Sequence, residues 1–302
     1  MNAFKMILAV SMLAGCAFAE NDNNAIKVGT YNIRNQNGDI GTPNAWDLRK
    51  ADVAATLCKQ DLDVFGLQEV RPGQADFIKE KMPQYTMVGV HRDDGKRKGE
   101  ASPVFFRKDR FDVIGSGTFW LSETPDVPGS RSWGAACTRI CSWSLLKDRK
   151  SGKKFCFANA HTDHKSALAC KNGMLLIIEK MREFAPKGTP IVFVGDHNCR
   201  EESEPAKAVA AILKDALYAS ETTPTGSWRT FNGWNWADKE RPVPEALKRP
   251  LGKRDTPRAK RIDYIYVSAG IKVKSYGVLN DARPGTKQYP SDHFPVNAVI
   301  EL

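Results

Sequence analysis

Along this sequence, short runs of β-branched and aromatic residues stop again and again at a polar side chain. Ile26 to Ile33, Val64 to Leu67, Val104 to Arg107, Phe111 to Leu121, Thr138 to Leu146, Phe155 to Ala160, Ile191 to Val194, Ile262 to Val267 and Val296 to Ile300 have the length and composition of strands. Trp46 to Cys58, Ala75 to Met82, Ser166 to Phe184 and Glu204 to Leu213 read as helices. A chain of 302 residues accommodates two domains or one large α/β or two-sheet domain equally well, so motif spacing has to decide. No repeat or low-complexity segment divides it. The one composition shift, Thr222 to Arg261, is rich in Pro, Gly, Trp and Lys/Arg and reads as long functional loops within one domain.

The residues at the strand ends are of the kinds that do chemistry. Tyr31-Asn32-Ile33-Arg34 closes the first run with an amide, and Leu67-Gln68-Glu69-Val70 closes the second with a carboxylate. Asn159-Ala160-His161-Thr162-Asp163-His164 ends a third, and Val194-Gly195-Asp196-His197-Asn198 a fourth. In extended chain Asp196 and Asn198 project to the same side. Asp263 lies within an apolar strand, where a carboxylate is costly unless paired; His293, in Ser291-Asp292-His293-Phe294-Pro295, is an available partner.

Taken in order, these segments resemble the endonuclease/exonuclease/phosphatase family, which includes deoxyribonuclease I, abasic-site endonucleases, nocturnin-like deadenylases, sphingomyelinases and inositol 5-phosphatases. The resemblance runs from Asn32 to His293, so residues 20–302 are expected to form one catalytic domain. Gly117-Thr118-Phe119-Trp120-Leu121-Ser122 further resembles a nocturnin/deadenylase-like bacterial branch. The fold this implies is an α/β four-layer sandwich, two mixed sheets packed face to face with helices outside. By the same resemblance Glu69 is the principal ligand of Mg²⁺, with Asn32 and Asp292 beside it and Mn²⁺ as a substitute. Asp196 would orient or deprotonate the attacking water, and Asn198 would donate to the transition-state oxygens. His293, held by Asp263, and His161, paired with Glu100, would bind the phosphate or transfer protons. Which histidine is the acid stays open. The inventory suits the reaction, since phosphate-ester hydrolysis needs a nucleophilic water, charge neutralisation and help for the leaving oxygen. Oxygen donors of this kind suit Mg²⁺.

Several residues have plainer readings. Asp163 is expected to cap the helix beginning near Lys165, and His164 to lie on the surface. His197 faces opposite to its neighbours on an extended chain and is expected to pack or to make a hydrogen bond outside the site. Glu100 reads equally as a solvated strand end. Arg139 shares a strand face with Cys137 and Cys141 and calls for an anion, either a structural carboxylate or a substrate phosphate.

Lys5 ahead of the apolar run Met6 to Gly15, followed by Ala17-Phe18-Ala19, reads as an export signal over residues 1–19. That places the remainder in the periplasm or outside the cell, with no transmembrane segment. Leu13-Ala14-Gly15-Cys16 also resembles a lipoprotein box, which would make Cys16 a lipid anchor. The mean hydropathy of −0.44 with 41% hydrophobic residues excludes a disordered chain and a polytopic membrane protein. Six further cysteines permit disulfides without requiring them, and their spacing does not suggest zinc. Cys137 and Cys141 on one strand are too far apart to pair, so buried free thiols are expected.

Substrate class rests on less. Between Lys248 and Arg261 seven basic residues, among them Lys253 and Arg254, face one acid, Asp255, so most of the chain's net charge of +10 sits just before Asp263. Such a run attracts polyanions, or is only a solvated loop. Trp228, Trp234 and Trp236 lie nearby; Trp234 is a candidate to stack on a base or sugar, whereas Trp228 and Phe231 read as pins of the loop. Basic and aromatic residues together favour a monomeric phosphodiesterase whose partner is a nucleic acid or nucleotide. A phosphatase of sugar or inositol phosphates or a phospholipid diesterase is the alternative, and a carbohydrate-binding module the third.

Overall fold

Two parallel strand pairs organise the molecule, and each is the centre of its own sheet. In the first, β1 (Ile26–Asn32) runs beside β2 (Val64–Gln68), with Asn32 opposite Gln68. In the second, β7 (Lys154–His161) runs beside β8 (Ile191–Asp196), with His161 opposite Asp196. The computed structural model describes residues 24–234 and 261–302. The expected export signal, Cys16, and the basic run through Lys253 and Arg254 as far as Lys260 lie outside the described residues.

Around β1 and β2 the first sheet adds β13 (Val296–Glu301), β12 (Lys272–Val278) and β10 (Thr225–Gly226) on one side, and β4 (Val104–Arg107) and β3 (Tyr85–Val88) on the other. The second sheet flanks β7 and β8 with β6 (Ile140–Asp148) and β5 (Phe111–Trp120), and with β11 (Asp263–Val267) and β9 (Lys214–Asp215). β2, β8 and β11 are buried along their whole length, as continuous apolar runs in sheets covered on both faces must be.

Three apolar clusters separate four layers. Between the sheets lie Val28, Val64, Val104, Phe155, Phe157, Val192, Val194, Ile265 and Val296. Helices α1 (Trp46–Gln60) and α2 (Pro72–Lys81) cover the outer face of the first sheet, packing Val53, Leu57 and Ile78 on Tyr31, Phe65 and Leu67. On the second sheet α3 (Ala167–Phe184) presents Cys170, Met174, Ile177, Ile178 and Met181, one face of a 3.6-residue period, and α4 (Glu204–Ala210) adds Ala206 and Val209. A short α5 (Ala216–Ala219) completes the set. Each fully buried Val, Ile or Phe in these layers contributes about 1.5–3 kcal/mol. The expected two-sheet sandwich with helices outside is the fold observed.

Differences from the sequence reading have local causes. β3 is only Tyr85–Val88, and β12 alternates apolar residues with the exposed Lys272 and the half-buried Lys274, so neither shows a strong apolar run. Pro72 opens α2 three residues earlier than expected, in the first turn where its missing N–H costs nothing. The cap of α3 is Ser166, whose side chain accepts from Ala169 N at 3.1 Å. Asp163 instead builds the preceding turn, accepting from Lys165 N at 2.9 Å, Ser166 N at 2.8 Å and Ala136 N at 2.8 Å. The strand expected from Thr138 begins at Ile140, so Cys137 and Arg139 precede it rather than sharing its face. The six described cysteines are free; Cys141, Cys156, Cys170 and Cys199 are buried, Cys137 is partly so and Cys58 is exposed.

Candidate active site

Because the two parallel pairs point the same way, their C-terminal ends meet. One delivers Asn32 and, one residue past β2, Glu69; the other delivers His161 and Asp196. β11 runs antiparallel to β8 and sets Asp263 opposite Asp196. The loop before β13 brings Asp292 and His293. Local backbone is forced here. Glu69 has φ 62° and Asn198 φ 48°, left-handed conformations that cost non-glycine residues energy and turn these side chains out of the strands. Gly195, at φ 146°, could not be otherwise: a Cβ there would sit 1.9 Å from Ala160 O.

Asp196 is the hub. Its Oδ2 accepts from Asn32 Nδ2 at 3.0 Å and lies 3.4 Å from His161 Nε2 and 3.7 Å from His293 Nε2. Its Oδ1 accepts from Asn198 N at 2.9 Å. Asn32 Nδ2 also donates to Glu69 Oε1 at 3.1 Å, while Asn32 Oδ1 accepts from Arg34 N at 2.9 Å. Glu69 Oε2 accepts from both the backbone and the side-chain nitrogen of Asn35, each at 2.9 Å. His293 Nδ1 lies 2.9 Å from Asp263 Oδ2. Asn198 Nδ2 donates to Thr162 O at 3.0 Å.

The charges differ sharply across a few ångströms. Burial disfavours a charged His293 ring, but the Asp263 and Asp196 carboxylates outweigh it and push its pKa up to about 10. Burial and the neighbouring Asp263 carboxylate raise Asp196 to about 7 against the pull of His293. His161 is held far below the usual imidazole value, first by burial and then by the nearby Arg139 and Arg92 guanidinium groups. At neutral pH the two rings therefore divide the work that sequence left undivided: His293 is an imidazolium and His161 is neutral. Burial acts to raise Glu69, yet donors from Asn35 and Asn32 keep it below the ordinary carboxylate range. Asp292 is raised by burial and by the Glu69 charge.

Glu69 and Asp292 are thus two buried carboxylates that repel each other. Hard oxygen donors with excess negative charge fit Mg²⁺ or Mn²⁺. Asn32, expected beside the metal, accepts from Arg34 N at one lone pair of its carbonyl oxygen and keeps the other, while its amide aligns Glu69 with Asp196. Asp196, Asp263 and His293 also cluster closely enough to share a cation, although the Asp263 contact to His293 already serves the ring.

Glu100 is not the partner of His161. Its carboxylate pairs with Arg92 Nη1 at 2.6 Å, and burial raises its pKa. Neither is it a solvated end, with a side chain 12% exposed. Arg139 is buried and donates from Nη2 to His164 Nδ1 at 3.0 Å, so His164, exposed as expected, has a specific neighbour. Cys137, Asp163 and His164 lie within metal-sharing distance of one another, but Arg139 and three backbone N–H groups already occupy His164 and Asp163. His197 packs as expected, with its ring 4.4 Å from Phe193 and stacked with Tyr264 and Tyr266, and burial lowers its pKa to about 3. Phe231 packs edge-on against His293 and Trp228 against the inter-sheet core, pinning the loop. Trp234 lies over the Arg49 guanidinium at 5.6 Å.

Two supports were missed. Arg49, 1% exposed, donates to Ile33 O, Arg34 O, Asn44 O and Pro290 O at 2.6–3.1 Å, tying the end of β1 to the segment before Asp292. Asn159 crosses between the sheets, donating to Leu67 O and Pro103 O at 2.8 Å and accepting from Gln68 Nε2 at 2.6 Å. Gly66 makes room for it, since a Cβ there would meet Asn159 Cγ at 2.3 Å. The available signal was a polar residue two positions before His161 within an apolar strand.

Residues 29–293 match the model of the Endonuclease/Exonuclease/phosphatase family. A search of curated proteins returned no match. Among solved structures, the chain is similar to a mannosyl-6-phosphatase of Bacteroides thetaiotaomicron, with 36% identity and a TM-score of 0.80 over 92% of this chain and 100% of that one. It is equally similar to another family protein from the same organism, with 36% identity and a TM-score of 0.79 over 91% and 97%. The human nocturnin catalytic domain, solved with a bound sulfate, shares the fold at 18% identity and a TM-score of 0.68 over 92% and 93%.

Proposed function

The chain belongs to the endonuclease/exonuclease/phosphatase family, whose members are metal-dependent phosphoric ester hydrolases, and from that premise we propose that it is a Mg²⁺- or Mn²⁺-dependent phosphatase of a phosphorylated sugar. The observation that carries the hydrolase reading is the Asp196 carboxylate, fixed by Asn32 and Asn198 and facing both His161 and His293. The sugar-phosphate reading is supported by 36% identity to a mannosyl-6-phosphatase along that protein's entire length.

Glu69 and Asp292 would hold the metal, and when bound it would neutralise charge on the phosphate oxygens and the leaving oxygen. Asp196, raised to about 7, is matched to accept a proton from the attacking water near neutral pH. As the water oxygen bonds to phosphorus the ester P–O bond breaks. His293, charged and fixed at Nδ1 by Asp263, presents Nε2 to the phosphate oxygens and is the site imidazole with a proton to return to the leaving oxygen. His161, neutral, contributes hydrogen bonding alone.

A second reading, a nucleotide or nucleic-acid phosphodiesterase, is favoured by the basic run from Lys248 to Arg261. One of its members, Arg261, is buried and committed to Asp215 and Glu201. Phosphate release from a hexose 6-phosphate, measured beside cleavage of an oligonucleotide with Mg²⁺ present, decides between the readings. Faster turnover of the oligonucleotide overturns the first. The proposal includes action outside the cytoplasm, supported by Lys5 and the apolar run after it. N-terminal sequencing of the processed protein should start at Glu20; a lipidated start at Cys16 would give the anchored form instead.

A further inference from the structure

Arg139 is a buried cation with no carboxylate in direct contact, the Asp163 and Glu100 carboxylates feeling its charge only at longer range. It is 5% exposed, no carboxylate among the described residues lies within ion-pair distance, and its Nε and Nη1 have no hydrogen-bond partner. Only Nη2 is used, on the neutral His164 ring. Such an arrangement is expensive unless an anion completes it. The fold fixes where that anion belongs. β6 runs antiparallel to β7 with Cys141 opposite Ala160, so Arg139, two residues earlier, is placed beside the residues that follow Ala160. There His161, 8% exposed, leaves its Nδ1 equally unpartnered. Two buried side chains with unused nitrogens thus lie near each other at the site end of the second sheet, the Arg139 charge close enough to act on the His161 ring, whose Nε2 faces Asp196.

We propose that Arg139, braced by His164, is the specificity-determining residue of this site, gripping a terminal oxygen pair of a phosphomonoester dianion. A monoester phosphate offers three terminal oxygens and two negative charges; a diester offers two oxygens and one charge. A metal held by Glu69 and Asp292, together with the His293 imidazolium, would match the two oxygens and single charge of a diester. A further buried guanidinium, with planar N–H groups still free, matches the third oxygen and the second charge. His164 fixes the guanidinium plane from the solvent side, as its Nδ1 accepts from Nη2. This inference rests on the phosphatase reading and deepens it by giving a reason for monoester selectivity.

The test uses the purified protein with Mg²⁺, inorganic phosphate as the binding probe in calorimetry, and p-nitrophenyl phosphate and bis-p-nitrophenyl phosphate as matched substrates. Arg139→Gln should weaken phosphate binding roughly 10- to 100-fold and lower the monoester-to-diester ratio of kcat/KM by a similar factor. Arg139→Lys, which keeps the charge and loses the fork, should recover only part of both, and it stands in if the Gln variant does not fold. His164→Ala, at an exposed position, should cost the same ratio about 3-fold. Unchanged phosphate binding, or equal loss on the two substrates, overturns the proposal. Arg139-dependent phosphate binding in a protein that hydrolyses neither ester would uphold the subsite and refute the phosphatase reading instead.

Discussion

Asp263 Oδ2 lies 2.9 Å from Nδ1 of His293, and this contact sets the charge of the ring that faces Asp196. The pairing was expected from the sequence; its consequence, a ring charged through neutral pH, came from geometry. A folded-state pKa near 10, above the unfolded value of about 6.5, means the pair's stabilisation is fully present below about pH 6.5 and lost as pH rises through about 10. Asp263→Asn should therefore move the alkaline limb of kcat to lower pH and narrow the stability plateau from the alkaline side. A pH–rate profile superimposing on wild type would reduce Asp263 to a structural acid.

Removing either side of the metal and water machinery should abolish turnover. Glu69→Ala and Asp196→Asn are each expected to lose at least about 100-fold in kcat with small changes in Tm, because both residues act at strand ends and open no apolar cavity. EDTA should inhibit the wild type, and Mg²⁺ or Mn²⁺ should restore it. Activity above roughly a tenth of wild type in either variant contradicts these assignments.

Arg49→Met is predicted to destabilise by roughly 2–4 kcal/mol, since four backbone carbonyls lose a charged donor where water has poor access. Metal affinity should fall with it, because Arg49 links the Asn32 strand end to the segment carrying Asp292. Denaturant unfolding and metal titration on the same variant check both effects.

Gly195→Ala should fail to fold, or melt far below wild type, because its Cβ would meet the Ala160 carbonyl in a conformation that side chains rarely adopt. Gly66→Ala should be milder, because Asn159 is a side chain that can shift, though at the expense of its three buried hydrogen bonds. Ranking the two melting temperatures tests the account of how the strand ends are held.

Replacing Lys253, Arg254, Arg258 and Lys260 with Ser separates the substrate readings. A sugar phosphatase should keep its kcat/KM on a hexose 6-phosphate. If an oligonucleotide is the substrate, KM should rise and its salt dependence flatten by about one counterion per lost phosphate contact.

What the sequence made legible was the end of each strand, because a charged or amide group after an apolar run is a local pattern. Asn32, Glu69, His161 and Asp196 follow it, whereas Asp263 opens a strand and His293 precedes one, and the structure brings all six together. Pairings between distant segments were not legible. Glu100 binds Arg92, eight residues away across a turn, rather than His161, and nothing in composition signals that preference. Arg49 sits within a helix as an ordinary amphipathic position, and only the meeting of β1 with the segment before Asp292 gives it carbonyls to hold. The strand around Arg139 was placed two residues early, which hid its separation from Cys141 and its approach to His164.

A sugar phosphatase with Glu69 in its metal site is tested most directly by phosphate release from mannose 6-phosphate by the wild type, with Mg²⁺ and with EDTA, beside Glu69→Ala under the same conditions. Metal-dependent release by the wild type alone is the expected result. Release that persists in EDTA or in Glu69→Ala, or no release under any condition, would contradict it.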